Sequence, residues 1–408
     1  MVNSNGAKTQ RDSWSYGSSA ESVSNVAQRS IDFYNDTLKN IQSGKIKEPD
    51  FNTNKISWTR AVLNDLAHKK YYNVNHVEIR NAIYRPFFKQ NLLWYAPLVE
   101  MRYRISNLFP NRDSENVVIC VCGVGVTKDF SCTITNILPD LELIGKSQCF
   151  PLYYYEELDS SDMFASKEKY VRKDAVSDYI LKQARTQYNE PKIKKEDIFY
   201  YVYGFLHSEE YRTEFSADLK KMLPRIPLVD SADDFWAFSN AGRKLAEIHL
   251  NYETAEPYKV FIVSSKSNEA DLPMFSMAAE SRAFFSAEAP ETLYKVRQMR
   301  FAKKQVKAGN GKMKTEDDKT RIVYNDKITV ANIPLEAYEY VVNGKSAIEW
   351  IMERYAVTTD KASGITNDPN DWALEHNDPK YIFNLLLRII TVSLETMKIV
   401  NGLPKLKF

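Results

Sequence analysis

The chain has 408 residues, enough for two or three domains that each bury a core. Its 55 Lys plus Arg face 53 Asp plus Glu, which excludes an overall polycation or polyanion, so a charged partner must be met by a local patch. At 44% hydrophobic and 12% aromatic residues the chain is globular rather than disordered.

Residues 1–20 are polar and lack the apolar stretch of a signal peptide. Residues 1–19 are rich in Ser, Asn and Gly and are expected to fray. Val23, Val26, Ser30, Phe33, Tyr34, Leu38 and Ile41 recur at helical spacing, and Gly44 ends that helix. Residues 45–56 read as a linker, and Ser57 as the cap of a short helix through Leu66. Residues 75–156 read as strands. Val117 to Cys122 is a continuous apolar run, as in a strand buried on both faces. Phe130, Cys132 and Ile134 alternate with polar neighbours, as in a half-buried strand, and Cys149 to Tyr155 is a third strand. The run Val117 to Val126 is far shorter than the roughly 20 residues that span a bilayer. The cysteines are Cys120, Cys122, Cys132 and Cys149. Cys120 and Cys122 should share a strand face, and with no second pair to complete a zinc site they read as reduced, buried residues of a cytoplasmic protein.

Residues 157–195 are charged, with a helix over 174–188. Helical stripes follow at Ile198, Tyr201, Val202, Phe205, Leu206 and at Phe235, Phe238, Leu245, Ile248, the second capped at Asp230-Ser231. Strands are expected at 258–264 and 321–330, and a helix over 345–355 after the Asn343-Gly344 turn. A last helix starts at Asp378-Pro379 with Pro pre-set for the first position and runs to about Val400.

No catalytic cluster emerges. Gly344-Lys345-Ser346 ends like a phosphate loop, but Tyr340 stands where that loop needs glycine, so a turn into a helix is the simpler reading. Cys122-Gly123-Val124-Gly125-Val126 lacks the third glycine of a dinucleotide loop and reads as a turn between strands. Among His68, His76, His207, His249 and His376 none lies four residues from another, so no helical metal pair exists. His207 reads as a core or cap residue. Asp317-Asp318 and Asp233-Asp234 read as loop or cap acids. The catalytic and metal sets are therefore empty.

The strongest local signal is basic. Lys295, Arg297, Arg300, Lys303, Lys304, Lys307, Lys312 and Lys314 follow one another with no acid before Glu316. Such a stretch suits a polyanion, though a solvated loop around Gly309-Asn310-Gly311 explains it as well. Two further segments interleave cations with aromatics or amides. In Ile79 to Gln90, Arg80, Arg85, Lys89 and Gln90 could present alternate side chains to a groove, where Arg forks onto guanine and Gln onto adenine. In Leu219 to Pro227, Lys220, Lys221 and Arg225 form a basic turn fit for phosphates or, equally, a helix end.

The same stretches resemble the C-terminal specificity region of type ISP restriction-modification enzymes. The resemblance rests on Phe199 to Arg212, Asp234 to Phe238 with Gly242 to Ala246, and His249 to Glu253. Tyr84 to Phe87, Ile333 to Tyr338, Asn343 to Ala347 with Glu349-Trp350, Asn367 to Trp372 and Glu395 to Val400 extend it along the chain. Lys8 to Asp12 and Phe33-Tyr34-Asn35 resemble the end of an adenine-N6 methyltransferase. The resemblance implies a mixed α/β (α+β), two-lobed DNA target recognition domain with an N-terminal helical extension. Its parts would be a methyltransferase tail and linker over 1–49, a strand-rich lobe over 50–160, a charged helical connector over 161–195 and a second lobe over 196–408. It implies sequence-specific binding of double-stranded DNA in phage defence, with no catalysis by the chain alone. S-adenosylmethionine, ATP and Mg would belong to methyltransferase, motor and nuclease parts absent here, which an upstream polypeptide would supply if the enzyme is split. No membrane role is expected, and the location is the bacterial cytoplasm. Within this frame Arg297, Arg300, Lys303, Lys304, Lys307, Lys220, Lys221 and Arg225 become candidate phosphate contacts, and Arg80, Arg85, Lys89 and Gln90 candidate base readers. The rivals are a protein-interaction subunit or remnant of a split enzyme, docking through the apolar face of the 23–41 helix, and a free hydrolase with an unrecognised carboxylate site.

Overall fold

The computed structural model describes residues 2–158, 169–264, 291–307, 309 and 312–407. The strands run, in chain order, β1 (Ser4–Asn5), β2 (Tyr16–Gly17), β3 (Glu78–Arg85), β4 (Phe88–Trp94), β5 (Val118–Val121), β6 (Cys132–Thr135), β7 (Leu138–Pro139), β8 (Gln148–Pro151), β9 (Tyr153–Glu157), β10 (Tyr170–Asp174), β11 (Phe261–Ser264), β12 (Arg300–Lys307), β13 (Met313–Val323) and β14 (Ile328–Ala331). Three four-stranded sheets, β1-β8-β5-β6, β2-β4-β3-β7 and β11-β14-β13-β12, take twelve of them, and β9 pairs with β10 alone. The fold is mixed α/β, as the resemblance implied.

β5 explains how the molecule is partitioned. All four residues are buried, as the apolar run predicts. Successive side chains leave a strand on opposite faces. Val118 and Cys120 enter one core, shared with β3, β4, β14 and the terminal helix Tyr381–Asn401. Ile119 and Val121 enter a second core, built on the helices Lys195–Phe205 and Ala232–Leu250. Both cores therefore cross the expected boundary at 161–195, of which 161–168 lie outside the described residues. β6 is also buried on both faces, not half-buried, because each core takes one side of the sheet. Cys120 and Cys122 do not share a face: the strand ends at Val121, and Cys122 turns into the second core. All four cysteines are free and buried.

The N-terminal segment is not frayed. Gly6 N donates to Ser147 O at 3.0 Å, Ala7 N to Pro139 O at 2.8 Å and Leu141 N to Ala7 O at 2.8 Å. β1 then extends one sheet and β2 a second. Polar composition misled here because the segment is held through its backbone. The helix Ala20–Gln42 follows, with Ser19 accepting from Ser22 N. Its face Val23, Ala27, Ile31, Tyr34, Leu38 packs on Ile56, Val62, Tyr72, Leu93 and Leu98, and Tyr34 stacks on Tyr72 with centroids 3.9 Å apart. The docking surface expected on this helix is thus already covered by the chain itself.

Other expectations shift by a few residues. Thr59, not Ser57, caps the helix Arg60–Ala67. The 174–188 segment divides into the end of β10 and the helix Asp178–Tyr188, capped by Ser177. Ser231 caps the Ala232–Leu250 helix and Ser346 the helix Ala347–Arg354. Pro379 precedes the terminal helix, which begins at Tyr381, so Lys380 rather than Pro379 stands at its start. No described helix is long and apolar enough to cross a membrane.

Candidate nucleic-acid interface

The segment expected to offer four readers to a groove instead spends them inside the fold. β3 and β4 form the middle of a sheet, and seven-residue β4 is buried along most of its length. Arg80 is 5% exposed, donates to Phe109 O at 3.1 Å and to Asn111 O, and lies over the Trp94 ring. Burial lowers its pKa. Arg85 pairs with Asp140 at 2.7 Å and reaches Asp12 at 3.5 Å, with its guanidinium 3.8 Å from the Tyr84 centroid. Burial pushes the Asp140 carboxyl up to about 6, against the pull of Arg85, and Asp12 adds to the push. Lys89 pairs with Glu253 over the Tyr252 ring. Gln90 is 1% exposed, donates to Ser18 Oγ at 3.0 Å and accepts from Asn367 Nδ2 at 3.0 Å. These residues brace the sheet and tie residues 12–18 to it. A period-two pattern cannot distinguish a solvent face from a second, polar-bonded buried face.

The basic stretch is a β-ribbon. β12 pairs with β13 from Arg300 to Lys307, whereas β14 pairs only with Arg321 to Val323 of β13. Outboard of residue 320 the two strands therefore pair only with each other, across six register pairs from Ala302↔Asp318 to Lys307↔Met313, roughly 17 Å at a strand rise of ~3.4 Å. Lys303, Gln305 and Lys307 share one face with Met313, Thr315 and Asp317. Lys304 and Val306 share the other with Lys314 and Glu316. The acids read as loop residues, Asp317 and Asp318, stand in β13, opposite Lys303 and Ala302. Lys303 binds Asp317 at 2.6 Å and Lys314 binds Glu316 at 3.3 Å. Such exposed pairs contribute about 0–1 kcal/mol. Lys304, Lys307, Arg297 and Arg300 are exposed. Of the expected Gly309-Asn310-Gly311 loop, only Gly309 lies within the described residues.

The third segment follows a four-residue helix, Ser216–Leu219. Lys221 and Arg225 are exposed, and Lys220 pairs with Asp129 at 3.0 Å. A cleft of about 570 Å³ opens along Asp218 to Pro227. Lys220 O accepts from Gly125 N at 3.0 Å, which joins this turn to the loop after β5. That loop carries cations the sequence did not single out. Lys128 Nζ donates to Asn343 O at 2.9 Å, and Lys128, Lys345 and Arg354 lie 5.9, 5.0 and 5.5 Å from the centroid of Trp350. Lys319, at the base of the ribbon, pairs with Glu349 one residue before that tryptophan. The 220 turn and the ribbon are thereby linked by a chain of basic contacts. No run of charge in the sequence marks it, because its members lie up to 226 residues apart.

Nothing here is poised for bond-making. Tyr203 Oη lies 2.6 Å from His249 Nδ1, and His249 Nε2 lies 2.9 Å from Thr396 Oγ1. His207 Nδ1 meets Tyr203 O at 2.8 Å. Burial holds both imidazoles neutral, His249 near 3 and His207 well below its usual value, and Arg212 adds to the effect. Both lie within the cores and read as satisfied structural groups. Among the described residues no group of three His, Cys, Asp or Glu side chains could hold a metal ion.

Comparison with known proteins gives the same direction. The sequence profile of the type ISP C-terminal specificity domain matches residues 1–385. Three solved structures are similar over nearly the whole chain. The ATP-dependent type ISP restriction-modification enzyme LlaBIII bound to DNA shares 32% identity at a TM-score of 0.79, covering 99% of this chain and 23% of its own. A nuclease-deletion mutant of the type ISP enzyme LlaGI, in complex with a DNA substrate mimic, shares 33% identity at 0.77, covering 99% and 33%. The DrdV–DNA complex shares 28% at 0.76, covering 100% and 36%. The present chain thus spans about a quarter to a third of these proteins. No curated protein matches it.

Proposed function

Because this chain belongs to the family of type ISP C-terminal specificity domains, we propose that it is a module that recognises double-stranded DNA by sequence and performs no chemistry of its own. The observation that carries the reading is the ribbon of β12 and β13. A two-stranded ribbon fits the major groove of B-DNA. Lys304 and Lys307 are exposed along it, and Gln305 and Thr315, joined at 2.9 Å, offer amide and hydroxyl groups to base edges. The chain of cations from Lys220 through Lys128 and Lys345 to Lys319 supports a phosphate track beside it. Adenine methylation with S-adenosylmethionine, and ATP- and Mg-dependent translocation and cleavage, fall to companion modules, on the same or a separate polypeptide. The reading entails a bacterial cytoplasmic location in phage defence.

The test is fluorescence anisotropy of the 408-residue chain with labelled duplexes of varied sequence between 50 and 200 mM salt. The expected log–log slope is about −0.9 per phosphate contact. Replacing Lys303, Lys304 and Lys307 by Ala should weaken binding to all duplexes alike, whereas Gln305→Ala should change the ranking among them. A chain that ignores every duplex at low salt defeats the proposal.

A further inference from the structure

Two motifs that fail as phosphate loops in the sequence meet in space. The loop Gly123–Phe130 and the Asn343-Gly344 turn lie against each other: Lys128 Nζ bonds Asn343 O, and a Cβ on Gly344 would stand 3.2 Å from Lys128 Cδ. Gly145 completes the junction. A Cβ there would meet Val126 Cγ1 at 3.3 Å and Asn343 Oδ1 at 3.8 Å. Gly125, Gly145, Lys146, Asn343 and Gly344 all have φ between 48° and 82°. Left-handed residues concentrated in this way cost free energy for the non-glycines and mark sites where backbone shape is used.

The turns hold cations together. Lys128, Lys345 and Arg354 surround the Trp350 ring, whose Nε1 is anchored to Val342 O at 2.7 Å. Lys146 extends over Val124 O and Gly125 O at 3.4 Å each. Glu353 binds both Lys345 and Arg354. Glu349 is already engaged by Ser346 and Lys319. Lys345 and Arg354 thus share one carboxylate, while Lys128 and Lys146 are held by backbone carbonyls rather than by an acid. Burial lowers the Lys345 pKa, and Arg354 and Lys128 lower it further, with Glu349 opposing: the cations repel one another. An anion seated among them would relieve that repulsion.

We propose that these turns form a composite clamp for a single phosphate group, held by Lys128, Lys345 and Arg354 with Lys146 at its edge. The ligand chemistry is a tetrahedral phosphate oxyanion, either a diester of bound duplex or a free phosphate. The clamp deepens the DNA-binding reading but does not stand or fall with it.

The test pairs Lys128→Ala/Lys345→Ala with the charge-preserving Lys128→Arg/Lys345→Arg, both checked by thermal unfolding. Two probes are used, labelled duplex and inorganic pyrophosphate, the latter followed by tryptophan fluorescence. If a backbone phosphate sits here, the alanine pair lowers the salt slope by about 1 and weakens duplex binding up to about tenfold without changing sequence preference, and the arginine pair restores it. If free phosphate is the ligand, pyrophosphate perturbs fluorescence in the native chain and in the arginine pair but not in the alanine pair, while duplex binding is unchanged. The clamp is overturned if the alanine pair alters neither probe. Failure of all duplex binding with retained pyrophosphate binding would sink the DNA reading and leave the clamp. Loss of duplex binding on replacing Lys303, Lys304 and Lys307, with both probes indifferent to Lys128 and Lys345, would do the reverse.

Discussion

His249 sits where the two cores meet, stacked on Tyr340 at 5.1 Å and 5° and hydrogen-bonded through both nitrogens. Its folded pKa of about 3 lies below the unfolded value of 6.5. The stability it contributes is therefore fully present above pH 6.5 and is lost as pH falls towards 3, because the unfolded chain takes up the proton first. From pH 7 to 5 this amounts to about 2 kcal/mol, with His207 acting in the same direction. Asp140, raised to about 6, acts oppositely: its contribution is present below 3.8 and fades as pH rises through 6. Comparing urea unfolding of the native chain with His249→Gln at pH 7, 6 and 5 removes the Asp140 contribution by subtraction. The native chain should lose about 2 kcal/mol more than the variant over that range. An equal loss in both would mean that the imidazole is not sealed from water. The same residue shows what a sequence can disclose. Of the two buried histidines His207 was legible as a core or cap residue, whereas the partners of His249, Tyr203 and Thr396, lie 46 and 147 residues away and carry no local signature.

Helices were the most legible elements, since their apolar stripes and Ser caps sit within one turn of each other. Their crossing was not. The helices Lys195–Phe205 and Ala232–Leu250 approach at Gly204 and Gly242, where a Cβ would lie 2.1 Å from Phe238 O and 1.9 Å from Tyr200 O. Gly→Ala inside a helix ordinarily gains up to about 1 kcal/mol of propensity. Here the methyl meets carbonyl backbone that cannot rotate away. Gly204→Ala and Gly242→Ala should each destabilise by about 1–3 kcal/mol, as core overpacking does, despite the better helix former. Chemical denaturation measures this directly, and a stabilised alanine variant would refute the close approach. At the ribbon charge was legible and geometry was not. Lysines could be counted, but pairing with Glu316 and Asp317 appears only once β13 lies antiparallel to β12. At residues 80–90 the reverse holds: a correct strand was assigned an exposed face, when Asp140, Glu253 and Asn367 arrive from distant segments to cover it.

At the scale of the whole molecule, β5 makes the two cores a single structural problem. Val118 and Cys120 serve one and Ile119 and Val121 the other, so neither core closes without the sheet they share. A chain cut at 195 keeps β5 and β6 but loses the helices that cover Ile119, Val121 and Ile134. Residues 1–195 alone should give no cooperative thermal transition, whereas the full chain should unfold in one. Two well-separated transitions in the full chain would argue for independent lobes. The division into lobes was placed at the charged stretch 157–195. Composition reports the surface more than the interior, and it is the interior that crosses that line.

The ribbon lies outside this interdependence. Beyond residue 320 its backbone partners are its own two strands, so substitutions there leave both interiors intact. Under the proposed DNA-binding reading, these few positions can therefore change one at a time. Each intermediate would remain a folded protein, and its vocabulary could drift while its grammar stayed fixed.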